Sequence, residues 1–96
     1  MKNTSIKLRK HIKAIKDVLE RDGWCKNELQ NTKGQRCLYG AMIVGEMSDS
    51  EFGRVRNLLI EVAETESLLG WNDAPKRNEK EVFALLDEAY KMAGKK

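Results

Sequence analysis

The sequence predicts an all-α domain, a compact array of about four helices with one long loop after the first helix. Three observations carry this. Apolar residues recur at helical spacing in three separate segments, two of those segments open on a capping box, and no second convincing strand exists to build a sheet. Ninety-six residues suffice for one core and leave little for another, so the chain is expected to form a single domain structured from about residue 5 to 93. A chain of this composition is expected to fold unaided or as a homo-oligomer.

Leu8, Ile12, Ile15 and Leu19 recur at intervals of four, three and four, with Val18 beside them, which places an apolar stripe on a first helix from about Ser5 to Asp22. Gly23 is placed to end it, because glycine takes the left-handed backbone of a helix stop without a Cβ penalty. Trp24 and Leu29 read as apolar anchors in the connection that follows, and Asn31-Thr32-Lys33-Gly34 has the residue types of an exposed turn. From Cys37 to Val44 nearly every residue is apolar, so periodicity does not separate a buried helix from a buried strand. Leu38, Ala41 and Met42 favour helix while Gly40, Ile43 and Val44 do not; the lack of a partner strand decides for a short central helix.

Ser48-Asp49-Ser50-Glu51 fits a capping box, in which the serine oxygen and the glutamate carboxylate reciprocally satisfy orphan backbone donors. Phe52, Val55, Leu58, Leu59 and Val62 follow as the buried stripe of that helix. After Gly70 comes the loop Trp71-Asn72-Asp73-Ala74-Pro75-Lys76-Arg77, and Asn78 with Glu81 opens an asparagine-led capping box on a last helix. Its stripe is Val82, Leu85, Leu86, Ala89 and Ala93, and the tail Gly94-Lys95-Lys96 is expected to fray.

The net charge of +3 is unevenly spread. Lys2, Lys7, Arg9, Lys10, Lys13 and Lys16 all precede the first acidic residue, Asp17, whereas the chain beyond Glu46 turns slightly acidic. That asymmetry points to oriented contact with an anion or an acidic partner. No apolar run approaches the roughly 20 residues of a membrane span, and no secretion segment follows the basic start, so a cytoplasmic protein with no membrane partner is expected. Two cysteines, Cys25 and Cys37, fall short of a disulfide framework and are expected to be free thiols. With His11 as the single histidine there is no zinc ligand set; neither metal nor cofactor is expected.

Gly23-Trp24, Cys37-Leu38-Tyr39-Gly40-Ala41, the string Trp71-Asn72-Asp73-Ala74-Pro75 with Arg77, and the terminal amphipathic helix occur in that order. In this the chain resembles a family of short, uncharacterised proteins of actinobacteria and bacteriophages over about residues 8 to 93, the Trp-Asn-Asp-x-Pro-x-Arg string being the most specific part. The family pattern carries a longer insertion before Cys37-Leu38 and a Gly-Arg-Thr where this chain has Lys76-Arg77-Asn78. The resemblance implies a shared fold and a phage or mobile-element setting; it implies no reaction.

Trp71 offers a flat ring and one N–H donor, Asn72 a donor and an acceptor, Asp73 two acceptors, and Arg77 a bidentate fork at a helix start. Such a set can hold a nucleotide: Trp71 stacking on the base, Asn72 or Asp73 reading its edge or ribose, and Arg77 binding phosphate, with Lys7, Arg9, Lys10 and Lys13 of the first helix completing the site. A noncatalytic protein of this kind would sequester a nucleotide signal. The same residues also serve as a clasp, with Trp71 filling the core, Asn72 and Asp73 satisfying a turn, Pro75 fixing its path and Arg77 pairing with a carboxylate.

Two other readings stay open. The lysine-rich face of the first helix could contact nucleic-acid phosphates or an acidic protein, as an inhibitor or adaptor would, although no base-reading motif accompanies it. Cys37, at the start of the central helix, could act as a nucleophile if His11 and Asn72 or Asp73 converged on it. Against this, His11 sits among lysines on what reads as the solvent side of its helix, and Cys37 reads more readily as a small buried core residue leading the central helix.

Overall fold

Residues 2–95 are described by the computed structural model, with side chains from residue 5 onward; the Lys2 side chain of the basic patch and Lys96 of the tail lie outside what is described. The first helix, α1 (Lys2–Asp22), begins three residues earlier than its stripe required and buries Leu8, Ile12, Ile15, Val18 and Leu19. Gly23 ends it with φ +90°, its N–H donating to the Leu19 carbonyl at 2.8 Å. The long connection covers residues 23–37 and is pinned at its base, where Cys25 N–H donates to the Arg36 carbonyl and Arg36 N–H to the Gly23 carbonyl.

Three helices open on side-chain caps, two of which the sequence specifies. In α2 (Leu38–Val44) the Cys37 thiol accepts the Gly40 N–H at 3.3 Å, so the ambiguous apolar run is a short buried helix. In α3 (Asp49–Ala63) Ser48 and Glu51 form the reciprocal box at 3.2 and 2.9 Å, and in α5 (Glu79–Ala93) Asn78 and Glu81 do so at 2.9 and 3.1 Å. Beyond α5, Gly94 and Lys95 continue the turn with hydrogen bonds to Lys91 and Met92.

Two expectations need correction. Trp71-Asn72-Asp73 is not loop: Leu68–Asp73 winds into a fifth helix, α4, capped by the Ser67 hydroxyl on Gly70 N–H. Six residues with a glycine in the middle carry no readable period, and this helix is held by its partners rather than by propensity. Leu29 is not an apolar anchor either, its side chain being 50% exposed. What docks at this residue is the backbone: the Leu29 carbonyl accepts Cys37 N–H and lies so close to Gly40 that a Cβ there would collide with it. Gly40 is thus required by a close backbone approach and not by helix chemistry.

The core lies where α1 packs against α5 and α3, with α2 and α4 closing the remaining side. Trp24, Tyr39, Phe52, Trp71 and Phe83 are partly buried against it. No helix of the described residues is long and apolar enough to cross a membrane.

A laced segment and the groove beside it as the candidate functional site

Four successive residues after α1 bond to four successive residues around the end of α4. Trp24 Nε1 donates to Asn72 Oδ1 at 2.6 Å, and Asn72 Nδ2 donates to the Cys25 carbonyl at 3.2 Å. Lys26 Nζ donates to the carbonyls of Ala74 and Pro75 at 2.8 and 3.0 Å, and Asn27 N–H donates to Asp73 Oδ1 at 2.9 Å. Asn72, fully buried, uses its whole amide: Oδ1 also accepts Leu38 N–H at 3.1 Å and Nδ2 also donates to Asp73 Oδ1 at 2.9 Å. One side chain therefore ties the loop, the start of α2 and the end of α4 together. Asn27 adopts φ +69° to present its N–H, a conformation asparagine tolerates better than most residues.

The other members of the loop are equally committed. The Arg77 guanidinium lies 3.8 Å from the centre of the half-buried Trp71 ring, its Nε donates to the Trp71 carbonyl at 2.8 Å, and its Nη1 is 3.5 Å from Glu81. Lys26 and Arg77 together place two cations on the carbonyl end of α4, where the helix dipole favours them. From the sequence, Arg77 is expected on a phosphate or a carboxylate; the structure sets it against Glu81 and also over the Trp71 ring, a contact not among those expectations. Of the four residues Trp71, Asn72, Asp73 and Arg77, Asp73 borders the cavity beside this seam.

That cavity is a groove of about 420 Å³ between the loop, α2 and α4, lined by Asn27, Glu28, Leu29, Cys37, Tyr39, Ile43, Leu69 and Asp73. Leu29, Ile43 and Leu69 are 50, 57 and 43% exposed, so three of the six large apolar side chains left in solvent among the described residues stand around one depression. Its charged side chains are both acidic, Glu28 and Asp73. The sequence did not reveal it, since Leu29 read as an apolar anchor and Ile43 as part of a segment buried nearly throughout.

The basic residues of α1 divide into two groups. Arg9 is folded onto α5, its Nε donating to the Tyr90 carbonyl at 3.1 Å and its guanidinium 4.7 Å from the Tyr90 ring centre. Lys13 lies 3.4 Å from Asp17, and Lys16 pairs with Asp87 at 2.8 Å. Lys7 and Lys10 are exposed and border a separate cavity with His11, Ala14, Glu46 and Glu51.

His11 does not face solvent as its lysine neighbours implied; its side chain is 18% exposed and Nε2 lies 3.5 Å from Glu51 of the α3 capping box. The Ser48 N–H bond and His11 lower the Glu51 pKa below its ordinary value. His11 and Cys37 thus border different cavities, and the cysteine-histidine-acid set is not assembled. Cys37 is buried with its sulfur engaged by Gly40 N–H, and burial pushes the Cys25 thiol up. Among the described residues no group of three His, Cys, Asp or Glu side chains is placed to hold a metal ion. At the base of the long connection Arg21 and Arg36 both bond Asp22, which holds its carboxyl down at about 2.

Fold and site define a class: a small all-α domain whose fourth helix is laced to the loop after the first, with an apolar groove along the seam. A family model described as a family of unknown function (DUF6197) matches residues 3–92, and the chain belongs to that family. No curated protein and no solved structure matches it.

Proposed function

We propose that this protein is a noncatalytic binding domain whose groove receives an apolar segment of a polypeptide. The observation that carries this is the clustering of Leu29, Ile43 and Leu69 in solvent around one acidic-edged depression, while the polar residues of the Trp71 segment are spent on holding its wall. Leaving such side chains wet forgoes on the order of 1 kcal/mol or more each, a cost that a partner's apolar surface would offset. A rigid, laced wall also spares the complex the entropy of ordering a loop. The role is that of an adaptor or inhibitor, and the phage setting implied by the motif resemblance fits the second.

Peptide display against the immobilised protein tests it. Enriched peptides should combine apolar residues with Lys or Arg and should lose binding to the Ile43→Lys/Leu69→Lys variant, which changes only exposed positions. No enrichment, or peptides that bind the variant equally well, would remove the groove as a binding site.

A nucleotide-type ligand at Trp71 is the second reading, favoured by the contact of an aromatic ring with a guanidinium beside the start of α5. A base would have to replace Arg77 on the ring, and phosphate would meet Glu79 and Glu81 in the first turn of α5. A thermal-shift panel of nucleotides separates the two: a rise in Tm in the wild type that is lost in Trp71→Ala supports this reading, and a flat response ends it.

A further inference from the structure

We propose that the groove's occupant is a second copy of this chain, entering with the outward face of α1 around Ile6. The inference rests on the groove being a polypeptide site and names the polypeptide. Ile6 is 63% exposed, more than any other large apolar side chain among the described residues. At about 100° per residue it lies nearly opposite Leu8, on the side of α1 turned away from its own core. Lys10 and Lys13, four and seven positions on, share that face, with Lys7 next to it. An apolar residue so placed serves no packing purpose within its own copy, and because the helix faces outward it does not reach its own groove.

The two surfaces complement each other. The groove supplies Leu29, Ile43 and Leu69 for an isoleucine side chain and Glu28 and Asp73 for lysines, with no lysine or arginine among its lining residues. The start of α1 supplies the isoleucine and the lysines, with no acidic residue before Asp17. A helix enters a groove by its apolar anchors, and on this face Ile6 is the one anchor, with Lys10 and Lys13 at i+4 and i+7 supplying charge. One such contact is small beside the roughly 800 Å² per partner of a stable interface, so a single insertion would be weak. Geometry favours doubling it. Lys10 and Ala14 border the same cavity as Glu46, which follows α2, while Ile43 of α2 borders the groove. Lys10 of the arm and Ile43 of the groove thus both lie toward the C-terminal end of α2, an arrangement compatible with two copies exchanging contacts around a two-fold axis.

Sedimentation velocity on the whole chain, over a concentration series and at low and high salt, tests this. The wild type should dimerise, more weakly at high salt because lysine–carboxylate attraction is screened. Ile6→Glu, which spoils the arm, and Leu69→Lys, which spoils the groove, should each raise the dimer Kd by about tenfold or more, corresponding to about 1.4 kcal/mol. Both positions are exposed, and unchanged circular dichroism and Tm will show that the variants fold. Mixing the two should restore association in part, since one of the two arm–groove contacts of the mixed dimer is then intact. A wild type that stays monomeric throughout, a dimer indifferent to both substitutions, or a mixture no more associated than its components overturns the proposal. A monomeric wild type that still binds displayed peptides through Ile43 and Leu69 removes the second copy and keeps the groove; loss of both results removes both.

Discussion

The indole N–H of Trp24 donates to the amide oxygen of Asn72 at 2.6 Å across 48 positions of sequence. Asn72→Ala would leave that donor, the Leu38 N–H and the Cys25 carbonyl without their partner in a dry setting, which costs about 3 kcal/mol at one to three per orphaned group, partly relieved by relaxation. Trp24→Phe keeps an aromatic ring but loses the indole N–H bond and part of the packing, costing about 1–2 kcal/mol. Urea denaturation of both singles and the double should show strong non-additivity; independent, additive effects would mean that the two side chains do not act together.

Gly40 and Gly53 both lie inside helices and should respond oppositely to alanine. At Gly40 the new methyl meets the Leu29 carbonyl, and the loop must move, at a cost of about 2 kcal/mol. At Gly53 nothing lies within 4 Å, so alanine should gain about 0.5–1 kcal/mol from helix propensity. Thermal or urea melts of the two variants decide this, and a neutral Gly40→Ala would disprove the tight approach.

Arg77→Lys keeps the charge but removes the planar group that covers Trp71 and the Nε bond to the Trp71 carbonyl. A loss of about 1 kcal/mol is expected, together with a shift in Trp71 emission read in a Trp24→Phe background. Unchanged emission would show that the guanidinium does not sit on the ring in solution.

Asp22 gives the domain an acid-sensitive joint. Its carboxyl titrates at about 2 in the folded chain against an ordinary value of 3.8, so the folded state binds this proton less readily than the unfolded one. The stabilisation from Arg21 and Arg36 is therefore complete above about pH 4 and is lost as pH falls through about 2. Wild type should lose more stability across that window than Asp22→Asn; parallel acid titrations by circular dichroism would refute this.

Both thiols are buried, with Cys37 capping α2 and Cys25 directed at backbone carbonyls. Iodoacetamide should modify neither quickly in native buffer and both in urea, as read by intact mass. Fast, selective modification of native Cys37 would reopen a nucleophilic role for it.

Much of the fold was legible because its devices are local. The Ser48 and Asn78 boxes, the Gly23 stop and the stripes of α1, α3 and α5 each lie within a few residues and follow from helix geometry. α4 was not legible, since its six residues are helical through bonds to a segment more than forty positions away. For the same reason the Trp71 segment could be singled out but not interpreted: Asn72 looks the same in sequence whether it reads a ligand or the chain's own backbone. The groove was hidden because Leu29, Ile43 and Leu69 come from three separate elements, and only the tertiary structure leaves them on one surface.

The lacing of residues 24–27 to 72–75 also sets an order of events. During synthesis the connection after α1 leaves the ribosome well before α4, and until residues 72–75 arrive the Trp24 indole N–H, the Lys26 ammonium and the Asn27 N–H lack the hydrogen bonds that tie them to α4. Its ordering is a late closure over a long span, slow relative to helix formation. A chain that has not yet reached Asn72 and Asp73 lacks the wall against which the groove is built.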